Sequence, residues 1–274
     1  MAPQKLDLTN IIRTRVRGWK GKLIPGILLK GLEKLICQRE LNDILATLYP
    51  REGSEFAKGV YNYLDLRIEV KGLDKIPEGG RYVFASNHPL GGLDGIGLIM
   101  VLGSKYGDDN VRFIVNDMLL NIEPLKSVFL PVNKYGSQAR GAAKIISEAY
   151  MSDKQIVMFP AGLVSRLHPD DTIRDLQWQK SFVSKAIESG RLIVPVRFEA
   201  LNRKRFYRIA YWRKKLKIGV NLEQTLLPGE VIASRGKSFR VKFGHPVDPL
   251  AYREEGLSLK QIAEKIRSLS DSME

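Results

Sequence analysis

The chain has 274 residues, 44% of them hydrophobic, which suits one large α/β domain with a substantial core. Its single cysteine, Cys37, excludes an internal disulfide and a cysteine-rich metal site, and makes a reducing compartment the default expectation. No secretory signal is recognisable, and no apolar run approaches the roughly 20 residues that cross a bilayer. A net charge of +14 favours an anionic partner: nucleic acid, lipid head groups, a phosphorylated substrate or an acidic carrier protein.

The first 60 residues are predicted to be helical. Basic residues between Arg13 and Lys22 precede apolar positions from Leu23 to Ile36 that are spaced by one, three and four. A basic amphipathic helix can lie in a membrane interface with its apolar face down, but packing on the main domain would explain the same periodicity. We therefore divide the chain into an N-terminal helical, membrane-associating segment, residues 1–60, and an α/β domain, residues 61–274.

Strand and helix patterns alternate through the rest of the chain. Leu64 to Lys71 alternates apolar with charged residues, which predicts a strand with one buried face, and the apolar run Tyr82–Ala85 predicts a buried strand. Further strands are predicted at 111–115, 128–132, 155–159, 192–196 and 231–243, and helices at 95–102, 139–150, 178–189 and after 257. This alternation predicts an α/β fold with a mixed, largely parallel central sheet flanked by helices.

The segment after the buried strand, NHPLGGLD from Asn87 to Asp94, holds a histidine and an aspartate six positions apart. On a continuous helix His88 and Asp94 would point to different faces, but a proline and two glycines between them favour a turn. A helix beginning near Asp94 would let its carboxylate hold one imidazole nitrogen and leave the other as a general base. The alternative is a structural histidine in a glycine turn, with Asp94 acting only as a helix cap.

Two other strand-to-helix connections supply polar groups. The segment FPAGLVSR, Phe159 to Arg166, combines a small-residue turn with a hydroxyl and a guanidinium, which suits an anion. Lys134, after the preceding strand, adds a second cation. Because functional loops gather at the carboxyl ends of parallel strands, we expect these groups to meet His88 around a substrate with anionic groups.

The segment from Arg197 to Lys217 contains nine Lys and Arg residues and one acid, Glu199, for a net charge of +8. Five aromatic residues interrupt it: Phe198, Phe206, Tyr207, Tyr211 and Trp212. One interpretation is a solvated strand–loop–strand face with its aromatic rings in the core. The other is a surface where basic groups meet phosphates and the rings lie at a membrane interface.

Four blocks in a fixed order, NHPLGGLDG, FLPVNKYG, FPAGLVSR and LIVPVRFEALNRKRFY, resemble the glycerolipid acyltransferase superfamily typified by 1-acylglycerol-3-phosphate acyltransferase. The chain looks most like the bacterial branch often labelled hemolysin-like, which includes acyltransferases of ornithine and related amino-acid lipids. The resemblance covers residues 66–247. It implies transfer of a fatty acyl chain to a lipid hydroxyl from a thioester, on coenzyme A or acyl carrier protein, with no metal and no permanently bound cofactor.

Carried over by position, the resemblance makes His88 the catalytic base and Asp94 its orienting partner. It assigns substrate binding to residues of the same loops: Asn87, Gly91, Gly92, Lys134, Gly162, Ser165 and Arg166. Two features depart from the common family pattern. The spacing is H-x5-D instead of H-x4-D, a spacing that the hemolysin-like branch shares, and Ala161 stands where the third motif usually has glutamate. The missing carboxylate favours a lyso-amino-acid lipid, such as lyso-ornithine or lyso-glycine lipid, or another lysolipid as acceptor.

The resemblance and the charge together predict a peripheral enzyme of membrane lipid biosynthesis at the cytoplasmic face of a bacterial inner membrane. Its expected partners are an anionic membrane surface, a lysolipid acceptor and acyl carrier protein. No nucleic acid is expected, because the sequence contains no recognised nucleic-acid-binding module. The competing hypotheses are a non-catalytic protein that binds an anionic surface or nucleic acid, and a membrane-active hemolysin.

Overall fold

The structure is a computed structural model that describes residues 5–7, 31, 33–34, 36–132, 138–217 and 222–273. Its helices are α1 (Gln38–Leu48), α2 (Gly53–Tyr63), α3 (Leu93–Tyr106), α4 (Gln138–Met151), α5 (Ser181–Glu188), α6 (Lys204–Lys215), α7 (Leu227–Ile232), α8 (Pro249–Glu254) and α9 (Leu259–Asp271). Its strands are β1 (Arg67–Lys71), β2 (Tyr82–Ser86), β3 (Val111–Asn116), β4 (Phe129–Val132), β5 (Gln155–Met158), β6 (Arg166–Leu167), β7 (Ile173–Arg174), β8 (Leu192–Glu199) and β9 (Ser238–Phe243). Short 3₁₀ helices cover Leu73–Lys75, Asp108–Asn110, Asp117–Asn121, Glu123–Val128 and Leu222–Leu226. Within the described ranges, no helix has both the length and the apolar character needed to cross a membrane.

The described strands form a seven-stranded sheet in the order β1-β9-β8-β2-β5-β3-β4. Its neighbours run parallel, apart from the antiparallel pair β8 and β9. Strands β6 and β7 form a separate antiparallel ribbon. The predicted mixed, largely parallel sheet is confirmed.

Strand β2 lies inside the sheet and is buried on both faces. Tyr82 and Phe84 belong to an apolar cluster with α1, α2 and α3, whereas Val83 and Ala85 belong to a second cluster with α4, α5 and α9. Successive side chains of a strand point to opposite faces, so the two clusters lie on opposite sides of the sheet. The result is a sheet between two helical layers, the arrangement typical of parallel sheets.

The described helices of the predicted N-terminal segment pack on the sheet domain. Ile44 and Leu48 of α1, and Phe56 and Val60 of α2, are buried in the first apolar cluster, and α2 continues past residue 60 to Tyr63. The basic residues between Arg13 and Lys22 lie outside the described residues. The division at residue 60 and the membrane-associating role of the segment stay predictions.

Strand β1 differs from the alternating strand predicted from Leu64. It begins at Arg67 and lies at the edge of the sheet with β9 as its neighbour, and Val70 is 38% exposed. Leu64 and Leu66 are buried because they close the packing at the end of α2. Ile68 is partly buried against the first apolar cluster, so the predicted buried face is wrong only at Val70.

Two predicted strands in the C-terminal third are wrong in part. The strand expected at 231–243 begins at Ser238, because Leu227–Ile232 forms α7, with a proline in its first turn, and Gly236 turns the chain with a φ of 76°. Beyond β8, the Arg197–Lys217 segment is not strand–loop–strand but forms α6. Its buried residues Phe206, Tyr207 and Ala210 recur at helical spacing.

Candidate active site

Strand β2 leads directly into the loop of residues 87–92, called the His88 loop below. At the start of this loop, the buried Asn87 side chain forms two hydrogen bonds with the backbone of Phe198 in β8. Its Nδ2 donates to the Phe198 carbonyl (3.0 Å), and the Phe198 N–H donates to its Oδ1 (2.6 Å). Gly91 then turns the chain with a φ of 78°, and α3 begins at Leu93. This places Asp94 in the first turn of α3, as the sequence predicts.

The side chains of His88 and Asp94 meet. His88 Nδ1 lies 3.0 Å from Asp94 Oδ2, and the Asp94 side chain is fully buried while that of His88 is 18% exposed. Because an ionised carboxylate only accepts hydrogen bonds, Nδ1 carries the proton in the neutral imidazole and Nε2 has the free lone pair. The predicted contact is confirmed, and Nε2 is the atom that could take a proton from a substrate.

Asp94 also organises the backbone of the His88 loop. Its Oδ2 accepts from the N–H groups of Leu90 (2.8 Å) and Gly91 (3.2 Å), and its Oδ1 accepts from Gly95 (2.9 Å). Asp94 therefore holds both the imidazole and the backbone of the loop, so it does not act only as a helix cap. The N–H groups of Leu90 and Gly91 are committed to this carboxylate, so they are not free to bind an oxyanion.

The His88–Asp94 pair shifts the pKa values of both groups. Burial opposes charge on the imidazole, but the adjacent carboxylate outweighs it and raises the pKa of His88 above its ordinary value. Burial also opposes charge on Asp94, yet His88 and the donors of the loop hold the pKa of this carboxyl below its usual range. The carboxylate is therefore ionised at neutral pH and strengthens the imidazole as a base.

The second strand-to-helix loop lies beside the first because β5 is the parallel neighbour of β2. The Phe159 ring stacks on the His88 ring, with centroids 4.0 Å apart and planes 27° apart. Ser165 is buried; its N–H donates to the His88 carbonyl (2.8 Å) and its hydroxyl donates to Asp175 (2.6 Å). In this geometry Ser165 holds the His88 loop in place.

Asp175 is a buried carboxylate that the sequence did not single out. It accepts from the His88 N–H (3.2 Å), the Ser165 hydroxyl and the Trp178 indole N–H (3.0 Å). Burial raises the pKa of Asp175, and its hydrogen bonds from Ser165 and Trp178 act in the opposite direction. Its sequence neighbourhood of charged and polar residues resembles an ordinary surface loop, which is why it carried no signal.

Arg166 is engaged by a second buried carboxylate. Its guanidinium contacts Glu223 at 2.9 Å and stands over the Phe206 ring at 5.4 Å, and the side chain is only 11% exposed. Arg213 contacts the other oxygen of Glu223 at 2.7 Å. Two cations around one anion leave this cluster with a net charge of +1, so it favours an anion nearby even though Arg166 itself is paired.

Asn202 ties the His88 loop to the strand on its other side. β8 is also parallel to β2, so the residues that follow β8 lie beside the His88 loop, at the carboxyl ends of the two strands. The Asn202 Nδ2 donates to the carbonyls of Pro89 (3.1 Å) and Leu90 (3.3 Å), and its N–H donates to the Tyr207 hydroxyl (3.0 Å). Asn202 lies in the fourth block of the family resemblance and follows a predicted strand. Its position after that strand could have marked it as a residue of the site.

The remaining predicted substrate-binding residues differ in their surroundings. Gly162 has a φ of 67° and faces open space, since a methyl group added there would meet no atom within 4 Å. Gly92 packs more closely, with Val231 3.2 Å from the position of an added methyl group. Lys134 lies outside the described residues, so its predicted place near His88 stays a prediction.

Gly91→Ala should destabilise the fold by about 2 kcal/mol or more, because its φ of 78° suits glycine and an added Cβ would lie 2.4 Å from Val164. The matched control is Gly79→Ala, at a φ of 79° with no neighbouring atom within 4 Å, which should cost only about 1 kcal/mol. Urea unfolding measures both. Equal losses would mean that backbone conformation alone matters and that the packing of Gly91 against Val164 does not.

Comparison with known proteins identifies the chain. A family model described as Acyltransferase matches residues 17–271. Lyso-glycine lipid O-acyltransferases from Phocaeicola vulgatus and Bacteroides thetaiotaomicron are each 40% identical over 242 residues, 88% of this chain and 86% and 88% of theirs. The chain belongs to the acyltransferase family.

The solved structures agree with this family at the level of the fold. The 1-acyl-sn-glycerophosphate acyltransferase PlsC from Thermotoga maritima matches with a TM-score of 0.50 at 15% identity, over 96% of this chain and 84% of that one. The predicted membership of the glycerolipid acyltransferase superfamily is confirmed, and the protein is an O-acyltransferase. This family membership favours an enzyme over the competing hypothesis of a non-catalytic binding protein.

Proposed function

We propose that this acyltransferase moves a fatty acyl chain from an acyl thioester to the hydroxyl of a lysolipid, with a lyso-glycine lipid or a related lyso-amino-acid lipid as acceptor. The observation that carries the proposal is the 3.0 Å contact between His88 Nδ1 and the buried Asp94, which leaves Nε2 as a base. The two relatives named for a lyso-glycine lipid support the acceptor class.

In the proposed reaction His88 Nε2 removes the proton of the acceptor hydroxyl while Asp94 stabilises the imidazolium. The alkoxide oxygen bonds to the thioester carbonyl carbon, and the C–S bond then breaks. The thiolate leaves on coenzyme A or acyl carrier protein and receives the proton from the imidazolium. The acyl group passes directly to the acceptor, so no acyl-enzyme forms.

The third motif supports an acceptor other than the phosphate-bearing one of the common family pattern. Ala161 is buried in the second apolar cluster, so the position that usually carries a glutamate is part of the core here. Arg166, the cation of this motif, is paired with Glu223. An acceptor recognised less by a single phosphate and more by its apolar chains and a weaker anionic group fits these surroundings.

The enzyme is proposed to act as a peripheral protein at the cytoplasmic face of a bacterial inner membrane, where a lysolipid acceptor resides. The +14 net charge supports attraction to an anionic bilayer and to acyl carrier protein.

Purified protein incubated with acyl-carrier-protein or coenzyme A thioesters tests this function. We expect mass spectrometry to show the diacylated product from lyso-glycine lipid with at least one of the two donors. Lysophosphatidic acid is the matched acceptor and should give at most about one-tenth of the product, since the third motif has Ala161 in place of the usual glutamate. Acylation of lysophosphatidic acid alone would overturn the acceptor class, and no acyl transfer with any pairing would overturn the reaction.

A further inference from the structure

Helix α6 presents a basic and aromatic face to solvent. The helix contains six Lys and Arg residues and no acid, and its inner side is formed by Phe206, Tyr207 and Ala210. The outward side, called the α6 face here, consists of Lys204, Arg205, Arg208, Tyr211, Trp212 and Lys215. Tyr211 and Trp212 are 39% and 50% exposed, and the flanking Leu201 and Leu216 are 56% and 66% exposed. Large apolar groups thus stand among cations along the exposed side of α6 and at its two ends.

The aromatic rings of the α6 face are held by their neighbours. Tyr211 and Trp212 pack edge to face with centroids 5.8 Å apart, and Lys215 Nζ lies 4.9 Å from the Trp212 centroid. Tyrosine and tryptophan favour the head-group level of a bilayer, where an apolar ring and a polar tip are both accommodated. Cations beside them add attraction to anionic lipid.

The α6 face is joined to the active site through short contacts. Asn202, two residues before α6, donates hydrogen bonds to the carbonyls of Pro89 and Leu90 in the His88 loop. On the inner side of the helix, Phe206 lies under Arg166 of the third motif. A surface bound by α6 would therefore lie at a fixed position relative to His88.

We propose that the α6 face is the surface by which this enzyme docks on an anionic bilayer. Charge complementarity selects an anionic partner, and the exposed Trp212, Tyr211 and leucines fit the head-group level of a bilayer, where apolar and basic groups are accommodated together. The proposal takes from the proposed function only that the acceptor is a membrane lipid. Docking here would bring that lipid to the carboxyl ends of the parallel strands, where His88 lies.

Sedimentation of the full-length protein with vesicles tests the docking surface. We expect binding to phosphatidylcholine vesicles containing phosphatidylglycerol, and little binding to phosphatidylcholine alone. Arg208→Glu/Lys215→Glu should weaken the partition coefficient about 30-fold or more, from roughly fivefold per cation. Lys75→Glu/Lys260→Glu, at two exposed lysines on other elements, makes the same change in net charge and should have an effect several times smaller.

Quenching by brominated lipids gives a second readout of the same contact. In a Trp19→Phe background the remaining tryptophans are Trp212 and Trp178, which is 2% exposed. Quenching should be strong in this background and should largely vanish when Trp212→Phe is added, although the protein still sediments.

Equal losses in the two charge-reversal variants would mean that net charge alone draws the protein to lipid, and would overturn the proposal. Unchanged vesicle binding with lost binding of acyl carrier protein would also overturn it, in favour of a protein-docking surface. Because the vesicle measurements use neither an acyl donor nor a lysolipid acceptor, failure of acyl transfer and failure of docking are distinguishable.

Discussion

Replacing His88 with alanine should lower kcat for acyl transfer by roughly 10²–10⁴-fold, the range expected when a general base is lost. His88 is the group whose Nε2 keeps a lone pair beside the carboxyl ends of β2 and β5, while Asp94 holds the other ring nitrogen. Without the imidazole, the acceptor hydroxyl must lose its proton to water, and the alkoxide is rarely formed. Single-turnover rates with saturating thioester measure this loss directly.

The matched control is His245→Ala, which removes an exposed histidine from the loop after β9 and should leave kcat within about twofold. Because the His88 ring also stacks on Phe159, the folded state of His88→Ala has to be confirmed by near-UV circular dichroism. His88→Gln, which fills more of the same space, should be equally inactive. A folded His88→Ala enzyme with nearly wild-type turnover would rule out the proposed base.

Asp94→Asn should lower kcat about 10²-fold or more and shift the pH dependence of kcat/KM toward lower pH. In the native enzyme Asp94 raises the pKa of His88, so activity should rise with pH through a midpoint above the ordinary histidine value of 6.5. The neutral amide removes this effect while burial still opposes the charged imidazolium, so the midpoint falls. The lower plateau follows because the ring loses the partner that fixes its tautomer.

The asparagine cannot satisfy the donors around position 94. Oδ2 of the native carboxylate faces His88 Nδ1 and the N–H groups of Leu90 and Gly91, and Oδ1 faces the N–H of Gly95. Either orientation of the amide turns its NH₂ group toward at least one of these donors, which should also cost about 1–3 kcal/mol of stability.

Asp175→Asn provides the comparison for the pH profile. Asp175 is also buried near His88, but it accepts from the backbone N–H of this residue and not from the ring. It should destabilise the protein while shifting the midpoint of kcat/KM less than Asp94→Asn does. A profile unchanged by Asp94→Asn would mean that the carboxylate does not set the base strength of His88.

The sheet class and the His88–Asp94 contact could be predicted because both depend on local patterns. Apolar runs separated by helical periodicity indicate a parallel sheet, and a proline and two glycines between the histidine and the aspartate leave the chain few ways to continue except a tight turn. The order of the motifs was sufficient to recognise the superfamily. The same patterns could not separate a helix from a strand after Glu199, where the charged residues of α6 obscure the helical spacing of Phe206, Tyr207 and Ala210.

The roles of the polar residues around the site depended on distant partners. Asn87, Ser165 and Arg166 are predicted to contact substrate, and that role stays a prediction. In the structure they bind the Phe198 backbone, Asp175 and Glu223, which are 111, 10 and 57 positions away in sequence. No periodicity indicates such contacts, since a buried polar group takes whichever partner the packing brings within reach.

By itself, the sequence determined that a histidine and an aspartate share a glycine turn at the end of a buried strand, and that the chain carries the motifs of an acyltransferase. Only the tertiary structure decided which buried carboxylates bind the residues of the site and which basic face is exposed to solvent. The physical reason is that turn chemistry acts over a few residues, whereas the partners of buried charges and the exposure of α6 arise when strands far apart in sequence become neighbours in the sheet.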